Sequence, residues 1–459
     1  MTVEVYIIFY MATLLMVLFV GYTLRTTTPV DLKESKSVSY GKYLSGNIDE
    51  VLVLWSKNIT PSERVERVEQ FGEVIYTGRY APITLLKVTY PLESVIDVLK
   101  GVPGVRAVAP NFNRELLWTP NDPYFYQQWN LQDDYIGMPS AWDYLPTGGD
   151  STVKVGILDS GVAFEDFVVP DYELNEVYSQ DSKYHAAPDL TLTRFAQGYD
   201  VVHQDYHPND QIGHGTHVAG IVAQSTNNYY GVAGIAFGIT LVPIQIADYQ
   251  GNIYDNWIVE GLYYAESVDV DIVNMSFGGP QPSDVIQTAV QDLYSQGILL
   301  VAATGNEGDS SIYYPARYEE VIAVGASNIQ DERSSYSNYG VGIDLVAPGG
   351  DALTGILQET YAGLYQGLVR VDSFALVYKY GTSMAAPHVS AALALLLSLG
   401  ADPEEAANLI KLTSKDIGLS GYDQETGFGR LDVKNAVMTY LQETVPLYDT
   451  LRNDWQEPF

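Results

Sequence analysis

Five short apolar runs constrain the fold more than any other feature: VKVGILD (153–159), TLVPIQIAD (240–248), DIVNMSF (271–277), ILLVAATG (298–305) and VIAVGAS (321–327). Each has the length of a strand, and none alternates apolar with polar residues as a half-exposed strand does. Strands buried on both faces belong to parallel sheets, whose crossover helices cover them. Helical stretches near 214–224, 255–267, 282–297 and 382–399 supply those crossovers. The expected fold class is therefore α/β, a doubly wound, mainly parallel sheet. In such sheets ligand sites gather at the carboxyl ends of the strands.

At 459 residues the chain is longer than one hydrophobic core usually serves. A second, smaller pattern precedes the large one. VLVLW (51–55) reads as a strand, Thr60-Pro61-Ser62-Glu63 as a capping box with proline at the first helical position, and RVERVEQFG as an amphipathic helix. EVIYTG (73–78), ITLLKVTY (83–90), LESVIDVLKG (92–101) and VRAVAPN (105–111) complete the order strand-helix-strand-strand-helix-strand, the ferredoxin-like α+β motif. That motif by itself carries no function. Residues 26–48 read as a polar linker. Ahead of them, Val5 to Leu24 are uncharged over the length of a bilayer crossing, as in a signal peptide or signal anchor. The expectation is export, with this segment either cleaved or retained as the only membrane attachment.

Cysteine is absent, which removes a cysteine nucleophile, a zinc-thiolate site and a disulfide framework from consideration. Lys and Arg number 24 against 57 Asp and Glu, a formal charge of −33. Such a surface repels nucleic acid and offers carboxylates to hard cations.

Ser383 lies in GTSMAAPH (381–388), immediately before the uncharged run VSAALALLLSLG, which reads as a buried helix ended by Gly400. A hydroxyl there meets unpaired backbone N–H groups and the positive end of a helix dipole. The stretch alone fits a helix cap as well as a nucleophile. A neutral-pH base must come from six histidines. His214, in GHGTHVAG (213–220), starts a helix between glycines that permit close approach, whereas His217 one turn on and His388 read as packing residues. Asp159 ends a strand before the Ser160-Gly161 turn, where it can orient a base or merely make an Asx turn. Asn306, in the glycine turn AATGNEG (302–308), can aim an amide N–H at developing negative charge.

Together, Asp159-Ser160-Gly161-Val162, GHGTHVAG and GTSMAAPH resemble the three signatures of the subtilisin-like serine proteases, the subtilases, in that family's order of acid, base and serine. The likeness spans about residues 119–440 and is greatest to thermitase-like members, through TPNDPYF, TNNYYGVAG and AATGNEG. The resemblance implies a serine endopeptidase with Asp159, His214 and Ser383 as its triad and Asn306 as an oxyanion donor. It implies that Ser276, Phe277 and Gly278 bind substrate backbone, with Thr304 and Gly305 walling the pocket for the side chain ahead of the scissile bond. It also implies a structural calcium ion on Asp122, Asp189 and Asn228 with the carbonyls of Tyr230 and Val232; a second site near Asp200, Asp205 and Asn209 meets His203 where the pattern has an acid. The small domain, 49–112, would be an inhibitory propeptide, 113–120 a maturation segment, 121–440 the peptidase and 441–459 a tail. Partners would be protein substrates and the chain's own propeptide, acting on a monomer. Insertions near 163–188 and 351–375 have no function readable in the sequence.

Overall fold

The computed structural model describes residues 49–89, 92–111 and 118–444. The expected signal segment, linker and C-terminal tail beyond 444, with most of the maturation segment, lie outside the described residues. The chain divides into two compact units, Met1–Arg114 and Glu115–Phe459.

In the first unit, β1 (Glu50–Trp55), α1 (Pro61–Val68), β2 (Glu73–Thr77), β3 (Ile83–Lys87), α2 (Leu92–Lys100) and β4 (Val105–Pro110) follow the expected order. The four strands pair antiparallel as β2-β3-β1-β4. The capping box at Thr60 forms: the Glu63 carboxylate accepts from the Thr60 N–H at 2.8 Å while the Thr60 hydroxyl accepts from the Glu63 N–H. Val51, Val53 and Trp55 point to one face of β1 and join Val68, Leu86, Ile96 and Leu99 in a closed core of this unit's own.

The second unit is built on an eight-stranded sheet whose pairings are all parallel. Its strands are β5 (Lys154–Asp159), β6 (Arg194–Phe195), β7 (Tyr199–Asp200), β8 (Thr240–Gln245), β9 (Ile272–Met275), β10 (Leu299–Ala303), β11 (Val321–Ser327) and β12 (Leu345–Pro348). The order is β7-β8-β5-β9-β10-β11-β12, with β6 also on β8. Successive residues face opposite layers, so Val155 and Ile157 enter one core and Leu158 the other. The first layer contains α3 (His214–Ala223) and the later helices α6 (Thr382–Ser398), α7 (Pro403–Leu412) and α8 (Val433–Thr444); α4 (Asp255–Ser267) and α5 (Asp284–Ser295) cover the other face.

The strand order reverses between β5 and β9, the place in such sheets where the carboxyl ends of the strands form a ligand site. Asp159 ends β5 on one side of it, and Ser276 follows β9 on the other. The region of the expected 351–375 insertion contains instead a two-stranded antiparallel ribbon, β13 (Ile356–Tyr361) with β14 (Phe374–Lys379). All six residues of β13 are buried although Gln358, Glu359 and Thr360 are polar, which explains why no apolar run announces it.

Candidate active site

Asp159 is buried, and its Oδ1 accepts from the Ser160 N–H at 2.8 Å. The same oxygen lies 2.7 Å from His214 Nδ1. A carboxylate only accepts, so Nδ1 carries the proton and Nε2 is left with its lone pair. This contact depends on Gly215. A Cβ there would sit 2.1 Å from the Gly161 carbonyl and 3.1 Å from Asp159, so α3 could not approach β5 with any side chain at that position.

The start of α3 is fixed by a residue that sequence patterns did not single out. The buried Asp210 carboxylate accepts from the Ile212 and Gly213 N–H groups at 2.8 Å and from Thr216 N–H and hydroxyl at 2.9 and 2.6 Å. It also accepts from Ser160 Oγ at 2.8 Å, while Ser160 Oγ accepts from the Gly215 N–H at 2.9 Å. Negative charge at a helix N-terminus satisfies orphan donors and the dipole together.

Ser383 is the second residue of α6, which packs against α3. Its hydroxyl donates to the Ser276 carbonyl at 3.0 Å, and the Ser276 hydroxyl donates back to the Ser383 carbonyl at 2.9 Å. Among the described residues no hydrogen bond joins Ser383 to His214. Asn306 is held by the residue before the serine: its Oδ1 accepts from the Thr382 N–H at 2.8 Å and the Thr382 hydroxyl at 2.9 Å. With Oδ1 so engaged, the amide Nδ2 is oriented as a donor at the mouth of α6.

Phe277 is half-buried against the core that Leu158 enters, and Gly279 exchanges both backbone hydrogen bonds with Tyr314, which straightens the segment after β9. Gly278 lies so close to Tyr313 and Tyr314 that a Cβ would meet the Tyr314 carbonyl at 3.0 Å. Thr304 is buried after β10 with its hydroxyl donating to the Asn338 carbonyl, and Gly305 packs on the Asn338 amide. The Glu307 carboxylate accepts from the Asn306 N–H at 2.9 Å and Asn338 Nδ2 at 3.1 Å.

Three of the other histidines divide cleanly. His217 is fully buried, and its Nε2 lies 3.1 Å from both the Ile356 and Val377 carbonyls; burial and the Lys379 charge push its pKa down to about 3. His388 is equally buried between Met384 and Asn130, and burial pushes it down to about 4. Both are neutral packing groups. His203 is different: burial opposes its charge, but Asp200 at 2.8 Å, with Glu173 and Glu176, pushes its pKa up to about 9. Its imidazolium is thus the cation among these carboxylates.

Asp122, Asp189 and Asn228 come together at the loop after α3. Asp189 Oδ1 accepts from Asn228 Nδ2 at 2.8 Å and Oδ2 from the Val232 N–H at 2.9 Å, while Asp122 accepts from the Asn227 and Asn228 N–H groups. Burial pushes Asp189 up to about 8. A third acid, Glu359 on β13, accepts from the Asp189 N–H at 2.7 Å and from the Tyr230 hydroxyl at 3.2 Å. Neither the Tyr230 nor the Val232 carbonyl accepts a hydrogen bond among the described residues. Desolvated carboxylates beside free carbonyls form a hard-oxygen donor set that fits calcium.

The subtilase family profile matches residues 150–429. The chain belongs to the subtilase family. It is 32% identical over 417 residues to the thermophilic serine proteinase of Bacillus sp. strain AK1, covering 90% of this chain and 91% of that protein. With thermitase from Thermoactinomyces vulgaris it shares 33% identity over 321 residues, 70% of this chain and 99% of the relative. Among solved structures it is similar to a protease from Pseudoalteromonas arctica PAMC 21717, with a TM-score of 0.59 and 29% identity over 70% of this chain and 100% of that one. This subtilase is a serine endopeptidase. Among the described residues no helix is long and apolar enough to cross a membrane.

Proposed function

We propose that this subtilase is an exported, self-processing zymogen whose mature form hydrolyses peptide bonds in many proteins through Asp159, His214 and Ser383. The observation that carries the reading is the 2.7 Å His214–Asp159 hydrogen bond, set at the topological switch point beside the start of the Ser383 helix. A χ1 rotation of Ser383 turns its hydroxyl from the Ser276 carbonyl toward His214. His214 Nε2 then takes the hydroxyl proton as Oγ bonds to the substrate carbonyl carbon. Asn306 Nδ2 and the Ser383 N–H hold the resulting oxyanion. The same proton passes from His214 to the departing amine as the peptide C–N bond breaks, leaving an acyl-serine that water opens by the reverse relay. Asp159 keeps the imidazole in the required tautomer and favours its charged form.

Substrate backbone adds as a strand along Ser276, Phe277 and Gly278, and the next side chain enters beside Thr304 and Gly305. Glycines keep that pocket open to large apolar groups, and the fixed Glu307 carboxylate also attracts basic ones, so specificity is broad. Asp122, Asp189, Asn228 and the Tyr230 and Val232 carbonyls would hold calcium, which supplies charge neutralisation to their loop.

Residues 49–112 are the inhibitory propeptide, and 113–120 contains the bond cut on maturation. Glu115–Phe459 makes up about three quarters of the chain, so a relative matching 90% of it must align with part of the first unit as well. Intact mass of residues 26–459 and its Ser383→Ala variant in calcium buffer tests the reading. The parent should lose the segment from residue 26 to a bond within 113–120 and then digest casein, while the variant stays whole and inert. Loss of the same segment from a purified Ser383→Ala chain would exclude self-processing.

A further inference from the structure

The ribbon β13–β14 reaches the residue immediately before His214. The Gly213 carbonyl accepts two hydrogen bonds from it, one from Thr360 Oγ1 at 2.5 Å and one from Lys379 Nζ at 2.6 Å. Gly213 has φ +82° and would drive a Cβ to 2.7 Å from Thr360 Oγ1, so the clamp is built against bare backbone. His217, one turn into α3, also donates to carbonyls of both ribbon strands.

Charge makes Lys379 more than a brace. Asp159 and Asp210 are both buried, and Ser160 bonds to each, so two acids flank Ser160 at the start of α3, one from β5 and one from the loop before the helix. Among the described residues neither pairs with a lysine or arginine within 4.0 Å. Lys379 is nevertheless within electrostatic reach of both: burial pulls its pKa below the ordinary lysine range, and Asp210 and Asp159 oppose that pull. The charged or titratable groups at the start of α3 are Asp159, Asp210, His217, Lys379 and, from β13, Tyr361, whose ring lies beside Gly213.

We propose that Lys379 is a positioning residue for the base of the reaction: its ammonium group clamps the Gly213 carbonyl and balances the Asp159 and Asp210 carboxylates. The positive charge keeps the imidazole neutral, hence able to accept the serine proton, down to lower pH than the two acids alone would allow. This rests on His214 being the general base.

The test is the pH profile of kcat/KM on a neutral peptide amide, using the self-matured full chain and the variants Lys379→Met, Lys379→Gln and Lys379→Arg, each checked for folding by near-UV circular dichroism. Met removes clamp and charge, Gln keeps a donor without the charge, and Arg keeps both. The acid limb should move up by about 0.5–1 pH unit in Met and Gln and stay within a few tenths of the parent in Arg. A merely structural lysine would lower kcat without moving the limb, so superimposable limbs in the parent and a folded Gln variant would overturn the proposal. A His214→Ala variant supplied mature by co-expressed parent separates the two readings: full activity there sinks the base assignment, while an inert His214→Ala alongside an unshifted Lys379→Gln sinks only the role of Lys379.

Discussion

Asn306 illustrates how one side chain is prepared by its neighbours. Two donors from Thr382 hold its Oδ1, so the amide N–H group is already oriented before substrate arrives and costs no reorganisation in the transition state. Asn306→Leu should lower kcat about 10²–10³-fold with KM nearly unchanged, measured by steady-state hydrolysis of a peptide amide. A comparable rise in KM instead would make it a substrate-binding group. Asp159, His214, Asn306 and Ser383 were legible because each sits in a short glycine-bearing turn whose chemistry is local. Asp210, Glu359 and Lys379 were not: Asp210 stands three residues before GHGTHVAG but belongs to none of the signatures, and the partners of Glu359 and Lys379 lie 170 and 166 residues away along the chain. No local pattern encodes such contacts.

At the scale of elements, β5, β8, β9, β10 and β11 could be read directly because both faces of each are apolar and buried. The ribbon β13–β14 could not, since it buries polar groups that find hydrogen bonds only in the folded state. Helix α6 carries no Asp, Glu, Lys or Arg, and Leu393 within it is completely buried. Leu393→Ala should destabilise the second unit by about 2–5 kcal/mol in urea unfolding of a Ser383→Ala background, where autolysis cannot interfere. The loops around β7 carry a pH dependence of their own. The folded pKa of His203, about 9, exceeds the ordinary histidine value, so its contribution is complete below about pH 6.5 and disappears as pH rises toward 9. Thermal unfolding of the Ser383→Ala chain should therefore show a midpoint falling between pH 6.5 and 9, and His203→Gln should flatten that fall.

For the whole molecule, a chain without cysteine has no disulfide to resist unfolding and relies on packing, to which the proposed calcium ion would add. Ion binding to the folded state alone adds about 2.7 kcal/mol at a hundredfold excess over Kd, so chelation by EDTA should lower the melting midpoint of the second unit by several degrees. Asp189→Asn should abolish that sensitivity; a midpoint indifferent to EDTA in the parent would remove calcium from the description. Division into a small antiparallel unit and a large parallel one was visible in the switch from one strand pattern to the other, because each unit closes its own core. The siting of Ser383 at the head of α6 bears on durability. The nucleophile cannot be displaced by fraying of a surface loop, since its helix is continuous with the central packing. An unfolded copy, however, exposes its peptide bonds to every folded one, and wherever cleavage outpaces refolding the excursion is final. What α6 governs in a working population is accordingly a half-life, set by how seldom the core opens, while an equilibrium free energy would describe only the inactivated variant.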